Sequence, residues 1–154
     1  MNKSELINSA NLLPRITPEA LIEYQSKSGR MVEQLNEHFI SDNEIENLIG
    51  NNNIDLMKNN HENHAHFMAS VFENFSAETL VNTILWVFKV YRSREFKPVY
   101  WYRQLNCWID LIKENIDTKE QDGILDYYKW MIEHINDFTQ LTDAKEIDCL
   151  PEDR

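Results

Sequence analysis

Residues 54–75 read IDLMKNNHENHAHFMASVFENF, and Met57, His61, His64, Met68, Val71, Phe72 and Phe75 recur in that stretch with a period of about 3.6 residues. The period predicts an amphipathic helix of about five turns. On its C-terminal side, Ser76 is placed as the N-cap of a further helix running to about Arg94, with Leu80, Ile84, Val87 or Phe88, and Tyr91 as its buried stripe. Pro98, suited to a first helical turn, opens the next, in which Trp101, Leu105, Trp108, Ile109 and Ile112 share a side. Thr118 and Gln121 have the spacing of a capping box ahead of a last helix with Ile124, Tyr127 or Tyr128, Met131, Ile132, Ile135 and Phe138 turned inward.

On the N-terminal side, Thr17, Pro18 and Glu19 start a long helix carrying Leu21, Val32, Leu35 and Phe39. Ser41 and Glu44 form a second capping-box pattern before Ile45, Leu48 and Ile49, and Gly50 ends that short helix ahead of the Asn51 to Asn53 loop. The expected fold is therefore all-α: a single antiparallel bundle or globin-like packing of about six helices over residues 17–141. An N-terminal extension, 1–16, precedes it and a frayed acidic tail, 142–154, follows.

Composition agrees. With 154 residues the chain has the size of one domain, and three glycines with four prolines leave little turn chemistry for an all-β fold. The longest apolar run, Ile84 to Phe88, is far short of the roughly 20 residues of a membrane span, and Met1 to Pro14 lacks the apolar core of a secretory signal. A cytoplasmic protein off the membrane is expected. Cys107 and Cys149 have no metal-ligand spacing and read as free thiols. A net charge of −11 disfavours nucleic acid, because phosphate binding needs Lys and Arg to displace counterions.

The chemistry-bearing motifs are few. His61, Glu62, His64 and His66 cluster on one helix, but only His61 and His64 share a face, and no Glu-x-x-His or His-Glu-x-x-His pattern accompanies them. There is no Gly-x-Ser-x-Gly elbow, and Gly29, Gly50 and Gly123 are isolated, so no loop cradles phosphate. No catalytic constellation is present, and a non-enzymatic role is expected.

Residues 86–103 differ from the rest. They hold Lys89, Arg92, Arg94, Lys97 and Arg103 against one acid, Glu95, a net +4 within an acidic chain, together with Trp86, Phe88, Tyr91, Phe96, Tyr100, Trp101 and Tyr102. Tyr100, Trp101 and Tyr102 are consecutive and must point in different directions around a helix, so part of the aromatic set is expected at a surface or interface. Trp86, Tyr91, Arg92, Arg94, Trp101 and Arg103, with His61 and His64, form the candidate binding set, suited to an anionic molecule with an apolar body or to a protein partner. The competing reading pairs the arginines with surrounding acidic helices as weak ion pairs. If the set serves recognition, Arg92, Arg94 and Trp101 lie on the surface.

The run Trp86 to Phe96, followed by Tyr100, Leu105 and Trp108, resembles helical modules of bacterial signalling proteins found beside cobalamin-binding or other sensory domains, over about residues 56–138. The resemblance implies a sensory or regulatory module acting through protein contacts, with a partner protein or its own dimer mate. The alternative is a bundle that holds a tetrapyrrole of the haem or cobalamin type, or another anionic cofactor, with His61 or His64 as axial ligand and Arg92, Arg94 or Arg103 pairing with propionate-like groups.

Overall fold

Thr17 and Pro18 start a helix where expected: the Thr17 hydroxyl accepts from the Ala20 amide at 3.1 Å, and Pro18 occupies the first turn. In the computed structural model of the chain, which describes residues 1–143, this is the second of eight helices. They are α1 (Lys3–Ala10), α2 (Pro18–Ile40), α3 (Ile45–Ile49), α4 (Ile54–Glu73), α5 (Ala77–Arg92), α6 (Pro98–Asn115), α7 (Thr118–Glu133) and α8 (Ile135–Leu141). No strand occurs among the described residues, and the fold is an all-α bundle. No described helix is long and apolar enough to cross a membrane.

Ser76 caps α5 as its sequence position predicts, accepting from the Thr79 amide at 3.2 Å. Gly50 closes α3 at φ +84°, and a Cβ there would meet the Glu95 Cβ at 2.9 Å; only glycine fits where the α3–α4 loop lies against the α5–α6 loop. The Asn53 side chain ties the two loops by donating to the Ile49 and Arg94 carbonyls at 2.7 and 2.8 Å.

Four expectations are corrected. Residues 3–10, placed in an extension, form α1, started by a reciprocal capping box between Asn2 and Glu5 and packed on α5 through the buried Leu6 and Ala10. The Ser41–Glu44 box does not form: Ser41 ends α2 and donates to the His38 carbonyl, while the Asp42 carboxylate takes the Glu44 amide at 2.9 Å. The Thr118–Gln121 box is also absent, because the Gln121 side chain turns back to the Lys113 and Ile116 carbonyls that end α6. The long last helix breaks at His134, whose backbone leaves helical geometry, although Ile135 and Phe138 remain buried on the continuation, α8. Of the acidic tail, Thr142 and Asp143 hold contacts described below; residues 144–154, with Cys149, lie outside the described residues.

The core centres on α2, α4, α6 and α7, with Trp108, Tyr24, Tyr100, Tyr127, Tyr128 and Phe39 fully buried. α2 packs on α4 and α6, and α6 packs on α7. α5 docks on α1 and α8 and leaves its side toward α4 unfilled.

Candidate functional site

Between α4 and α5 lies a cavity of about 270 Å³. Met68, Phe67 and His64 of α4 face Ile84, Val87, Phe88 and Tyr91 of α5 across it, Trp101, Gln104 and Leu105 of α6 close one side, and Met131 and Phe138 close the end. The aromatic packing within its walls joins α5 to α6 and α8: Phe88 stacks on Trp101 with ring centres 4.2 Å apart, and Phe138 meets Phe88 edge-on at 5.4 Å. No Asp, Glu, Lys or Arg lines the space.

At its α4–α6 corner the cavity meets a buried polar chain. His61 Nδ1 lies 2.6 Å from Asn36 Oδ1, and its Nε2 lies 2.8 Å from the Tyr100 hydroxyl. Burial first, then the neighbouring His64, hold His61 neutral, with its pKa lowered to about 3. A neutral imidazole carries one N–H. Facing the Asn36 carbonyl oxygen, Nδ1 must donate, so Nε2 accepts the Tyr100 proton; the Tyr100 oxygen then accepts from Gln104 Nε2 at 2.8 Å, whose second hydrogen goes to Asn60 Oδ1 at 2.7 Å. A second chain runs from His64 Nε2 to the Tyr128 hydroxyl at 2.8 Å and on to Tyr24 at 2.7 Å, and burial lowers the His64 pKa to about 3 as well. Both histidines are uncharged at neutral pH.

The residues singled out from sequence divide. His64, Tyr91 and Trp101 line the cavity, and Trp86, 43% exposed, stands at its rim. His61 is one layer behind with both ring nitrogens engaged. Trp101 is 4% exposed, which corrects its expected surface position: its helix turns it onto Phe88 and Tyr91, and of the three consecutive aromatics only Tyr102, at 52%, reaches solvent.

The arginines stay outside the cavity. Arg92 donates to the Thr139 carbonyl at 2.8 Å, the Thr142 hydroxyl at 2.9 Å and the Asp143 carboxylate at 3.0 Å, tying the end of α5 to the end of α8. Arg103 pairs with Asp42 at 2.7 Å, and Arg94 is exposed. Cys107, half-buried on α6, is pushed up to about 11 by burial and by the charges of Asp110 and Glu114, so the thiol stays protonated.

Asn60 and Gln104 were not among the sequence candidates, although both sit on the buried stripes of their helices: Asn60 three residues after Met57 and four before His64, Gln104 three after Trp101 and four before Trp108. A polar residue in a buried register is the signal that marked them. Among the described residues no three His, Cys, Asp or Glu side chains come together to hold a metal. Comparison of the chain with protein-family models, with curated proteins and with solved structures returns no match to any of them.

Proposed function

We propose that this chain is a non-enzymatic sensory or regulatory module: a small uncharged molecule with an apolar body fills the space between α4 and α5, and the change in helix packing passes to a protein partner or to a second copy of the chain. The observation that carries this reading is the cavity. Protein interiors are close-packed, with few voids larger than a water molecule, and a concave apolar space with a few converging polar groups is the usual form of a small-molecule site. The signal has a route, since α5 is both the cavity's outer wall and the helix that Arg92 fastens to α8. A tetrapyrrole finds less support: the lining carries no cation for propionates, both ring nitrogens of His61 are engaged, and His64, which lines the cavity, has its Nε2 on the Tyr128 hydroxyl.

The test is binding of N-phenyl-1-naphthylamine, an uncharged probe that fluoresces in apolar surroundings, to the parent protein and to Val87→Trp, which places an indole in the cavity from its α5 wall. Saturable one-to-one binding by the parent, reduced at least tenfold in a folded Val87→Trp variant, is the expected result. Equal binding by both, or none by the parent, would reject the reading.

A further inference from the structure

We infer that the molecule held between α4 and α5 carries a flat aromatic ring, and that Phe67 and Trp86 select for it by packing against that ring from opposite sides of the cavity's opening. This rests on the cavity being a ligand site, and it adds the class of ligand and the two residues that set the preference.

Burial along the two walls locates the opening. Of the residues that line the space, Met68, Ile84, Phe88 and Leu105 are buried, Phe67 and Thr83 are half-buried, and Asn63 and Trp86 are exposed. Asn63 and Phe67 lie one turn apart on α4, and Thr83 and Trp86 lie one turn apart on α5, so the space reaches solvent between these two pairs. Each wall thus ends in an aromatic ring.

These two rings differ from the others in the lining. Phe88 stacks on Trp101 and meets Phe138 edge-on, Tyr91 meets Trp101 edge-on, and His64 packs on Trp108 and Tyr128. Phe67 and Trp86 pack on no other ring among the described residues, and Trp86 is exposed where the other three tryptophans are buried. The inner rings are committed to one another, whereas the two at the opening keep their surfaces for a molecule that enters. An aromatic pair contributes beyond the area it buries, because electron-rich faces meet electron-poor edges, so a flat aromatic ring gains here what a saturated ring of the same skeleton does not. The volume sets the size: a cavity of about 150 Å³ takes one benzene ring, and about 270 Å³ leaves room for a second. The lining, without Asp, Glu, Lys or Arg, sets the charge, because an ion entering it would lose its hydration without meeting a counter-charge.

Competition against N-phenyl-1-naphthylamine compares 1-naphthol with decahydro-1-naphthol, the same two-ring alcohol without aromatic rings. The proteins are the parent, Phe67→Leu, Trp86→Leu and the double variant, in which leucine keeps apolar bulk and removes the ring. The parent should bind 1-naphthol at least about fivefold tighter than its saturated form. That ratio should drop at least about twofold in each single variant and vanish in the double variant; it is read within each protein, so a general loss of apolar contact cancels. Equal binding of the two alcohols by the parent, failure of both to displace the probe, or a ratio that the substitutions leave unchanged would overturn the inference while the cavity reading stands. No binding of the probe by the parent would overturn both. Because Trp86 is exposed, Trp86→Leu tests the assignment even where a change at the half-buried Phe67 prevents folding.

Discussion

Within residues 86–103 the aromatic rings and the cations go opposite ways. Phe88, Tyr91, Phe96, Tyr100 and Trp101 turn inward, and Phe88, Tyr91 and Trp101 line the space between α4 and α5, whereas Arg94 is exposed and Arg92 and Arg103 bond groups outside that space. In sequence they read as one basic aromatic patch. In three dimensions they are two regions with opposite chemistry, an uncharged interior and a charged exterior, divided by the helical turn that sends neighbouring residues to different faces. Local composition can thus mark a segment as unusual without saying which of its residues act together.

The interior's neutrality offers the largest effect by which to break the comparison. His61 and His64 have pKa values near 3 when folded and about 6.5 when unfolded, so the unfolded chain binds more protons between those values. Their contribution is intact above pH 6.5 and is lost as pH falls from 6.5 toward 3. At about 1.4 kcal/mol per unit for each group, the two histidines together remove roughly 5 kcal/mol by pH 4.5. Urea denaturation at pH 7 and at pH 4.5 measures it, and His64→Gln should show about half the loss of the parent. A parent whose stability is flat from pH 7 to pH 4.5 would mean that the interior admits charge, and the contrast with the exterior would fail.

The two tryptophans at the cavity sharpen the same contrast. Trp101 stacks on Phe88 in the wall, and its replacement by Ala should cost about 3 to 5 kcal/mol, as for other buried aromatics. Trp86→Ala, at the rim, should cost less than about 1 kcal/mol. Similar losses for both in denaturant melts would show that wall and rim are not distinct.

The helices were legible in the sequence because burial imposes a period, and the stripes through Met57, Leu80, Trp101 and Ile124 carry it. α1 was harder to see, since only Leu6 and Ala10 of its eight residues are buried, although Asn2 and Glu5 have the spacing of a capping box. The break at His134 left no mark, because Ile135 and Phe138 continue the inward pattern on the far side. Of the site, the aromatic wall could be nominated by type. The polar corner could be marked only as carboxamides on buried stripes; that Gln104 meets Asn60 across 44 residues of sequence could not be read before the helices were placed. The arginine contacts depended on the same long-range information: nothing near Arg92 in sequence points to Thr139, Thr142 or Asp143.

Those contacts give the smallest and most local test of the comparison. Arg92 and Arg94 are two residues apart with the same side chain, but Arg92 is part-buried and makes three hydrogen bonds to the end of α8, while Arg94 is exposed. A bond from a charged donor to a protected acceptor contributes more than a solvated ion pair, and the Thr139 carbonyl and Thr142 hydroxyl are the protected acceptors here. Arg92→Ala should therefore lower stability by about 1 to 2 kcal/mol and Arg94→Ala by less than about 0.5 kcal/mol. Arg92→Lys separates geometry from charge: an ammonium keeps the attraction to Asp143 but lacks the planar fork that reaches carbonyl, hydroxyl and carboxylate together, so most of the loss should remain. Because the effect lies at the junction of α5 and α8, amide exchange in α8 should quicken in Arg92→Ala before the rest of the bundle responds. Equal stability of the Arg92 and Arg94 variants, with unchanged exchange in α8, would return Arg92 to the ordinary charged surface and remove the link by which α5 is tied to α8.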